Sequence, residues 1–226
     1  MKKIIIYTTN DKVISLQLVN KIISHDKFKD YKFDIILVKA EFLRKIKILI
    51  VMFFFGSLMD FLKKLINKIS IEEILKKNNN CRHIDKIDEN TKYDFGLSVY
   101  CSNKIEIPQF KIYNFHLGSL KTQRGSFIFF YKFLKNWNEI TLSCHEMSEK
   151  FDVGKVINEK KINLKANTKA SDIFFLYLEN QNFLIDSINK LSTSQGKNYD
   201  NYEKLHLVPS FFQLLSKMTK YFFRKI

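Results

Sequence analysis

Three polar side chains in the middle of this chain carry the groups needed to move an acyl group between amines. The amide of Asn114 and the imidazole of His116 stand two residues apart, so both project from the same face of an extended strand. The carboxylate of Asp152 follows downstream, close to Gly154. Spacing alone also permits a structural role for His116, because histidines are common in partly buried structural positions. The three residues form a candidate catalytic group if the fold brings them together.

The elements that must position these groups follow from hydrophobic periodicity. Short apolar runs predict strands at residues 3–8, 33–38, 93–99, 110–116, 139–147 and, as an edge strand with alternating lysines, 155–164. Apolar residues at helical spacing predict helices at 12–25, through most of 41–78, at 127–134, and from a cap at Ser171 to Leu191. Ser70, followed by Glu73, predicts a capping box.

This alternation of strands and helices favours a Rossmann-like α/β fold. We expect a mostly parallel sheet flanked by helices, with a short helical C-terminal extension. Asn114 and His116 then lie at the carboxyl end of a strand, where open α/β sheets bind their ligands.

The chain is predicted to consist of a catalytic domain at 1–191 and a C-terminal part at 192–226. A polar stretch at 192–204 predicts a linker. The basic amphipathic helix that follows, 209–226, could dock on the domain, on a second subunit as in a homodimer, or on a membrane surface. The uncharged run 48–59 is shorter than the roughly 20 residues that span a bilayer. We therefore expect a buried or surface-docking helix there and no transmembrane segment.

Composition narrows the class of protein. A hydrophobic fraction of 46% with two prolines predicts a substantial core rather than disorder. Three widely spaced cysteines argue against a disulfide framework or a structural zinc site and indicate a reducing, cytoplasmic location. The net charge of +15 is compatible with nucleic acid, an anionic membrane or a phosphorylated substrate. Lysines are spread along the whole chain, which favours a general residue bias over a basic patch and leaves phosphate recognition open.

The motif region resembles the formyltransferases that use 10-formyltetrahydrofolate. The resemblance rests on Asn114-Phe115-His116, on Arg124-Gly125 at the family's spacing, and on the segment from His145 through Met147 and Asp152 to Gly154. The family pattern is N-x-H-P-S-L-L-P-x-x-R-G, followed by a segment like H-x-M-D-E-G-x-D-x-G. This chain departs from it in the loop, where Leu117 and Lys121 replace two prolines and Gly118-Ser119 replaces Ser-Leu. The match is clear over residues 93–164.

The resemblance implies roles for site residues. Asn114 and His116 would donate hydrogen bonds to the oxyanion formed when the acceptor amine attacks the formyl carbon. Asp152 would orient His116 and help to move the proton of the amine. The co-substrate would be 10-formyltetrahydrofolate, and no metal is implied. The residues implied to bind the folate are Tyr100, Cys101, Ser102, Lys104, Ile105, Ser148, Phe151 and Gly154. The residues implied to bind the acceptor are Thr9, Asn10, Arg124 and Gly125.

The identity of the acceptor amine is inferred from two features that the chain lacks. The loop at Thr8-Thr9-Asn10 has no glycine, which disfavours a phosphate cradle of the kind found in glycinamide ribonucleotide enzymes. The segment after residue 164 is short and helical in pattern, which disfavours the β-barrel domain of methionyl-tRNA enzymes. We therefore expect a nucleotide-linked amino sugar for a surface polysaccharide such as lipopolysaccharide, and no nucleic-acid partner. The two other acceptors stay open, as does a non-catalytic basic protein that binds nucleic acid or membranes.

Overall fold

One seven-stranded sheet organises the chain in this computed structural model, which describes residues 1–39, 41–55, 57–66, 68–88, 90–101, 105–106 and 108–223. The strands are β1 (Lys3–Thr9), β2 (Lys32–Val38), β3 (Cys81–His83), β4 (Phe95–Val99), β5 (Ile112–Leu117), β6 (Glu139–Glu146) and β7 (Val156–Asn163). Their spatial order is β3-β2-β1-β4-β5-β6-β7. The first five strands in that order are parallel, whereas β6 and β7 join antiparallel. The prediction of a mostly parallel α/β sheet is confirmed.

Helices cover the sheet. They are α1 (Ser15–Ile23), α2 (Phe42–Phe54), α3 (Leu58–Lys64), α4 (Ile71–Lys77), α5 (Ile128–Lys135), α6 (Ala170–Phe174), α7 (Leu176–Glu179), α8 (Gln181–Lys190) and α9 (Phe211–Phe223). Alternate residues of β1 belong to different cores, because successive side chains of a strand point to opposite faces. Ile4 and Ile6 join the larger apolar cluster, whereas Ile5 and Tyr7 join a smaller one. Both faces of the central strand are therefore buried, as a parallel sheet requires.

Two local predictions need correction. The edge strand β3 was not predicted, because its three residues, Cys-Arg-His, are partly or fully exposed and carry no apolar run. The single helix predicted from Ser171 to Leu191 is divided into α6, α7 and α8, with breaks at Phe175 and Asn180. Phe175 packs among aromatic rings of the core, and this tertiary contact overrides the local periodicity.

Capping was predicted correctly at one helix and wrongly at another. The capping box of Ser70 and Glu73 is present at the start of α4. At α6 the cap position is Lys169, whose backbone N–H donates to the Asp172 carboxylate at 2.9 Å. Ser171 lies inside α6 instead, and its buried hydroxyl has no hydrogen-bond partner among the described residues.

The segment between α8 and α9 runs along the domain. Lys197 exchanges two backbone hydrogen bonds of 2.8 Å with Val156 of β7, and the backbone of His206 pairs with Gly125. The helix α9 then packs against α2 through aromatic rings. Among the described residues, no helix is both long and apolar enough to cross a membrane.

Candidate active site

The predicted catalytic side chains meet beside the paired strands β5 and β6 and the loop that follows β6. Antiparallel register places Asn114 of β5 opposite His145 of β6, and Asn114 Nδ2 lies 3.2 Å from His145 Nε2. Asp152, in the loop after β6, faces both imidazoles: its Oδ1 lies 3.6 Å from His116 Nδ1 and 3.8 Å from His145 Nε2. The structure thus brings the three predicted residues to one point and adds a second histidine.

Hydrogen bonds select the tautomer of His116. Its Nε2 lies 2.9 Å from the carbonyl oxygen of Gln123, and a carbonyl only accepts, so Nε2 carries the proton and donates it. Nδ1 is left to face the Asp152 carboxylate and can exchange a proton on that side. His116 is 7% exposed, so its ring is held in a mostly dry environment. Because Nε2 already donates to Gln123, this arrangement suits a histidine that accepts and returns a proton at Nδ1, rather than the oxyanion donor that the resemblance implies.

His145 is held neutral by its surroundings. Its Nδ1 lies 3.1 Å from the carbonyl of Glu146 and donates to it, which leaves Nε2 to accept a hydrogen bond from the Asn114 amide. Burial lowers the pKa of His145 to about 4, and the nearby Asp152 opposes this shift only in part. A neutral His145 therefore fixes which way the Asn114 carboxamide points.

The loop carrying Asp152 is held from two sides. Asp152 adopts a left-handed backbone conformation with φ 48°, which an aspartate tolerates better than most residues. The backbone N–H of Gly125 donates to its Oδ2 at 2.7 Å. The guanidinium of Arg124 donates to the carbonyls of Asp152 at 3.1 Å and Phe151 at 2.8 Å. The carboxylate is therefore oriented by the Arg124-Gly125 pair.

A cavity of about 970 Å³ opens beside these groups. It is lined by the catalytic candidates and by residues from the ends of β1, β4, β5 and β6. Five of the residues implied to bind folate line it: Tyr100, Cys101, Ile105, Ser148 and Phe151. Ser102 and Lys104 lie outside the described residues. Gly154 is not among the lining residues; an added Cβ there would lie 2.0 Å from the carbonyl oxygen of Glu146, so this glycine permits close packing of the loop on β6.

The residues implied to bind the acceptor separate into two groups. Thr9 and Gly125 line the cavity, and the Thr9 hydroxyl lies 2.7 Å from that of Ser15. Asn10 is exposed and is not among the described lining residues. Arg124 also lies outside the lining, and its guanidinium is engaged with backbone carbonyls, including that of Glu203 at 3.0 Å. Its observed contacts are structural.

Sequence reasoning missed three residues around the site. His145 lay inside the motif region, but its role depends on pairing with Asn114 across two strands. Gln123 anchors the loop after β5: its side-chain oxygen accepts from the N–H groups of Ser119 and Thr141. Arg44 of α2 lines the cavity with its guanidinium over the Phe127 ring at 5.6 Å. None of these contacts has a short-range sequence signal.

Arg44 places a partly buried positive charge on the wall of the cavity. Burial lowers the pKa of its guanidinium, which reflects the cost of keeping this cation away from water. No ion pair of Arg44 is present among the described residues. Within the same described ranges, no cluster of three or more His, Cys, Asp or Glu side chains could hold a metal ion.

Solved structures share this architecture. The chain is similar to an N-formyltransferase from Helicobacter canadensis in complex with folinic acid and dTDP-3-aminofucose, with a TM-score of 0.61, 16% identity, and coverage of 100% of this chain and 82% of that one. It is similar to WlaRD, a sugar 3N-formyltransferase in the presence of dTDP and 5-N-formyl-THF, with a TM-score of 0.58, 18% identity, and coverage of 92% and 70%. These solved sugar N-formyltransferases share the fold of this chain.

The same fold also forms part of a larger protein. HypX from Aquifex aeolicus matches with a TM-score of 0.52 and 12% identity over 92% of this chain but 30% of that chain. No family model matches the sequence, and no curated protein matches it. The similarity therefore establishes the fold alone.

Proposed function

We propose that this protein transfers the formyl group of 10-formyltetrahydrofolate to the amine of a nucleotide-linked amino sugar. The observation that carries the proposal is the meeting of Asn114, His116 and Asp152 at one wall of a large cavity. An amide donor, a proton-exchanging imidazole and an orienting carboxylate are the groups that formyl transfer between amines needs. Residues 1–191 would supply the catalytic groups, and residues 205–208 of the C-terminal part line the same cavity.

The folate would supply an activated formyl group, and the residues of the chain would act on its oxygen and on the amine. Asn114 would donate a hydrogen bond to the formyl oxygen as negative charge develops there. His145 accepts from Asn114 Nδ2, so the amide has one N–H fixed and the other available. His116 Nδ1 would receive the proton of the attacking amine as the new C–N bond forms, and Asp152 would stabilise the imidazolium. The imidazolium would then return the proton to the leaving nitrogen of the folate as its bond to the formyl carbon breaks.

The cavity is suited to both substrates. Its volume of about 970 Å³ lies at the upper end of the range for small-molecule sites, which leaves room for a folate ring and a sugar side by side. Ile105, Met147 and Phe151 provide apolar surface for the aromatic folate. Arg44 and Lys45 provide positive charge for the diphosphate of a nucleotide sugar. The product would enter a surface polysaccharide such as lipopolysaccharide.

Formyl transfer can be tested with a panel of acceptors. Purified protein would be incubated with 10-formyltetrahydrofolate and dTDP- or UDP-linked amino sugars, glycinamide ribonucleotide or methionyl-tRNA, and formylated product would be measured by mass spectrometry. Turnover with an amino sugar alone is expected. Turnover with another acceptor would replace the proposed substrate. No turnover with any acceptor, together with salt-sensitive RNA binding, would favour a non-catalytic nucleic-acid-binding protein.

Two variants test the assigned chemistry. Asp152→Asn removes the negative charge while keeping the side-chain shape, and His116→Ala removes the proton acceptor. Each should lower kcat by about 100-fold or more, since general acid–base catalysis contributes that much. Lys121→Gln, at an exposed position in the loop after β5, is the control and should retain kcat. A kcat near that of the unmodified protein for both site variants would refute the mechanism.

A further inference from the structure

An apolar stripe on α2 faces away from the core. Phe42, Leu49 and Phe53 are 74%, 41% and 64% exposed, and Ile46 lies between them on the same side of the helix. Residues spaced by three and four positions form one continuous helix face. The opposite side of α2 carries the buried Val51 and Met52, so the helix is docked on the domain and still presents this second apolar face outward.

The helix α9 extends the stripe into a broader surface. The ring of Phe222 lies 6.2 Å from that of Phe54, which in turn lies 5.5 Å from Phe53. Both helices carry further exposed apolar residues. We call the combined set the α2–α9 surface; its members are Phe42, Leu43, Leu49, Phe53, Phe54, Phe211, Phe212, Leu215, Phe222 and Phe223. Ring contacts join the two helices at Phe53, Phe54 and Phe222, and exposed apolar side chains gathered on neighbouring helices mark an interaction surface.

Charge identifies the kind of partner. The two helices carry no acidic residue. Of their five basic residues, Arg44 and Lys45 line the cavity and Lys217 Nζ lies 3.2 Å from the Tyr131 hydroxyl, so Lys47 and Lys220 are the two that remain for an external partner. A second copy of this chain docked on the same surface by two-fold symmetry would set basic helices against basic helices. An anionic surface would complement both the apolar residues and the lysines around them.

We propose that the α2–α9 surface adsorbs to a bilayer that contains anionic lipids. The phenylalanines would enter the boundary between headgroups and acyl chains, and the lysines would contact phosphate groups. No helix among the described residues can cross the bilayer, so the attachment is peripheral. Arg44 and Ile48 line the cavity from the inner side of α2, so docking would bring the cavity close to the membrane surface. This proposal does not depend on the chemistry proposed above.

Vesicle binding tests the proposal on the full chain. The protein would be sedimented with vesicles of phosphatidylcholine, with and without phosphatidylglycerol, at low and high salt. Binding is expected for the anionic vesicles and should weaken at high salt because the charges are screened. Phe42→Ser with Phe53→Ser should lower the partition coefficient by about tenfold or more. These side chains are exposed, so circular dichroism and thermal unfolding should be unchanged.

A matched pair of lysine variants separates specific docking from general attraction of a basic protein. Lys47→Gln with Lys220→Gln should lower partitioning to anionic vesicles by about tenfold or more. Lys29→Gln with Lys77→Gln removes the same charge from exposed positions outside both helices and should leave partitioning nearly unchanged. Equal losses in both pairs would overturn the proposal. It would also be overturned by absence of vesicle binding together with a dimer, detected by sedimentation velocity, that the phenylalanine variant converts to monomer.

Discussion

Replacing Arg124 by lysine tests whether this residue positions the catalytic carboxylate or binds substrate. The family resemblance implies that Arg124 binds the acceptor. In the structure, its guanidinium instead donates hydrogen bonds to the backbone carbonyls of Asp152, Phe151 and Glu203. The guanidinium also lies 5.0 Å from the ring of Tyr202. A lysine keeps the positive charge, but it lacks the planar fork of donors that lets arginine hydrogen-bond to several carbonyls at once.

The expected loss follows from these contacts. A hydrogen bond from a charged donor contributes about 1.5–3 kcal/mol when buried, and two of the three bonds here are exposed, so we expect Arg124→Lys to lower the free energy of unfolding by about 2 kcal/mol. Asp152, in its left-handed conformation, would then be free to shift. A displacement of about 1 Å of a catalytic group can cost about 100-fold in rate, so kcat should fall by that order with little change in KM.

Steady-state kinetics and urea unfolding of the same variant measure both effects. Arg82→Lys is the matched control, because Arg82 forms two hydrogen bonds with the buried Asp34, at 2.7 and 3.1 Å, away from the cavity. The control should lose stability and keep its kcat. An Arg124→Lys protein with unchanged stability and a raised KM for the acceptor would refute the positioning role and restore substrate binding.

Three further predictions concern the site and its supporting loop. Burial lowers the pKa of His145 to about 4, so the unfolded chain takes up a proton at this imidazole near pH 6.5 while the folded protein keeps it neutral. The free energy of unfolding, measured in urea, should therefore fall by about 3 kcal/mol from pH 7 to pH 4. A His145→Gln protein with the same pH dependence would contradict this prediction. Gly125→Ala should lower the free energy of unfolding by more than about 2 kcal/mol. The reason is that φ of Gly125 is 103° and the new Cβ would lie 2.1 Å from the carbonyl oxygen of His206. An unfolding midpoint equal to that of the unmodified protein would exclude this clash. Arg44→Gln should raise the KM for a nucleotide-linked acceptor by about tenfold and leave the KM for the folate constant. A raised KM for the folate with a constant KM for the acceptor would place Arg44 in the folate site.

The elements of the sheet were largely predictable because their signals are local. β1, β2, β4, β5 and β6 are apolar runs bounded by polar residues, and each was predicted within two residues of its observed ends. The short strand β3 and the breaks between α6, α7 and α8 were not predictable in this way. β3 forms by pairing with β2, and the breaks accompany packing of Phe175 in the core. Such contacts join residues far apart in sequence.

The sequence by itself determined the chemical groups and their placement on the strand ends. The two-residue spacing of Asn114 and His116, together with the motif resemblance that includes Asp152, indicated the candidate chemistry, because both are read directly from the residue types and their order. Only the tertiary structure decided how these groups are held. The antiparallel register of β5 and β6 brought His145 against Asn114, and loop packing turned Arg124 towards the backbone that carries Asp152. Register and loop packing depend on contacts between distant segments, so the roles of His145 and Arg124 could not be read from local pattern.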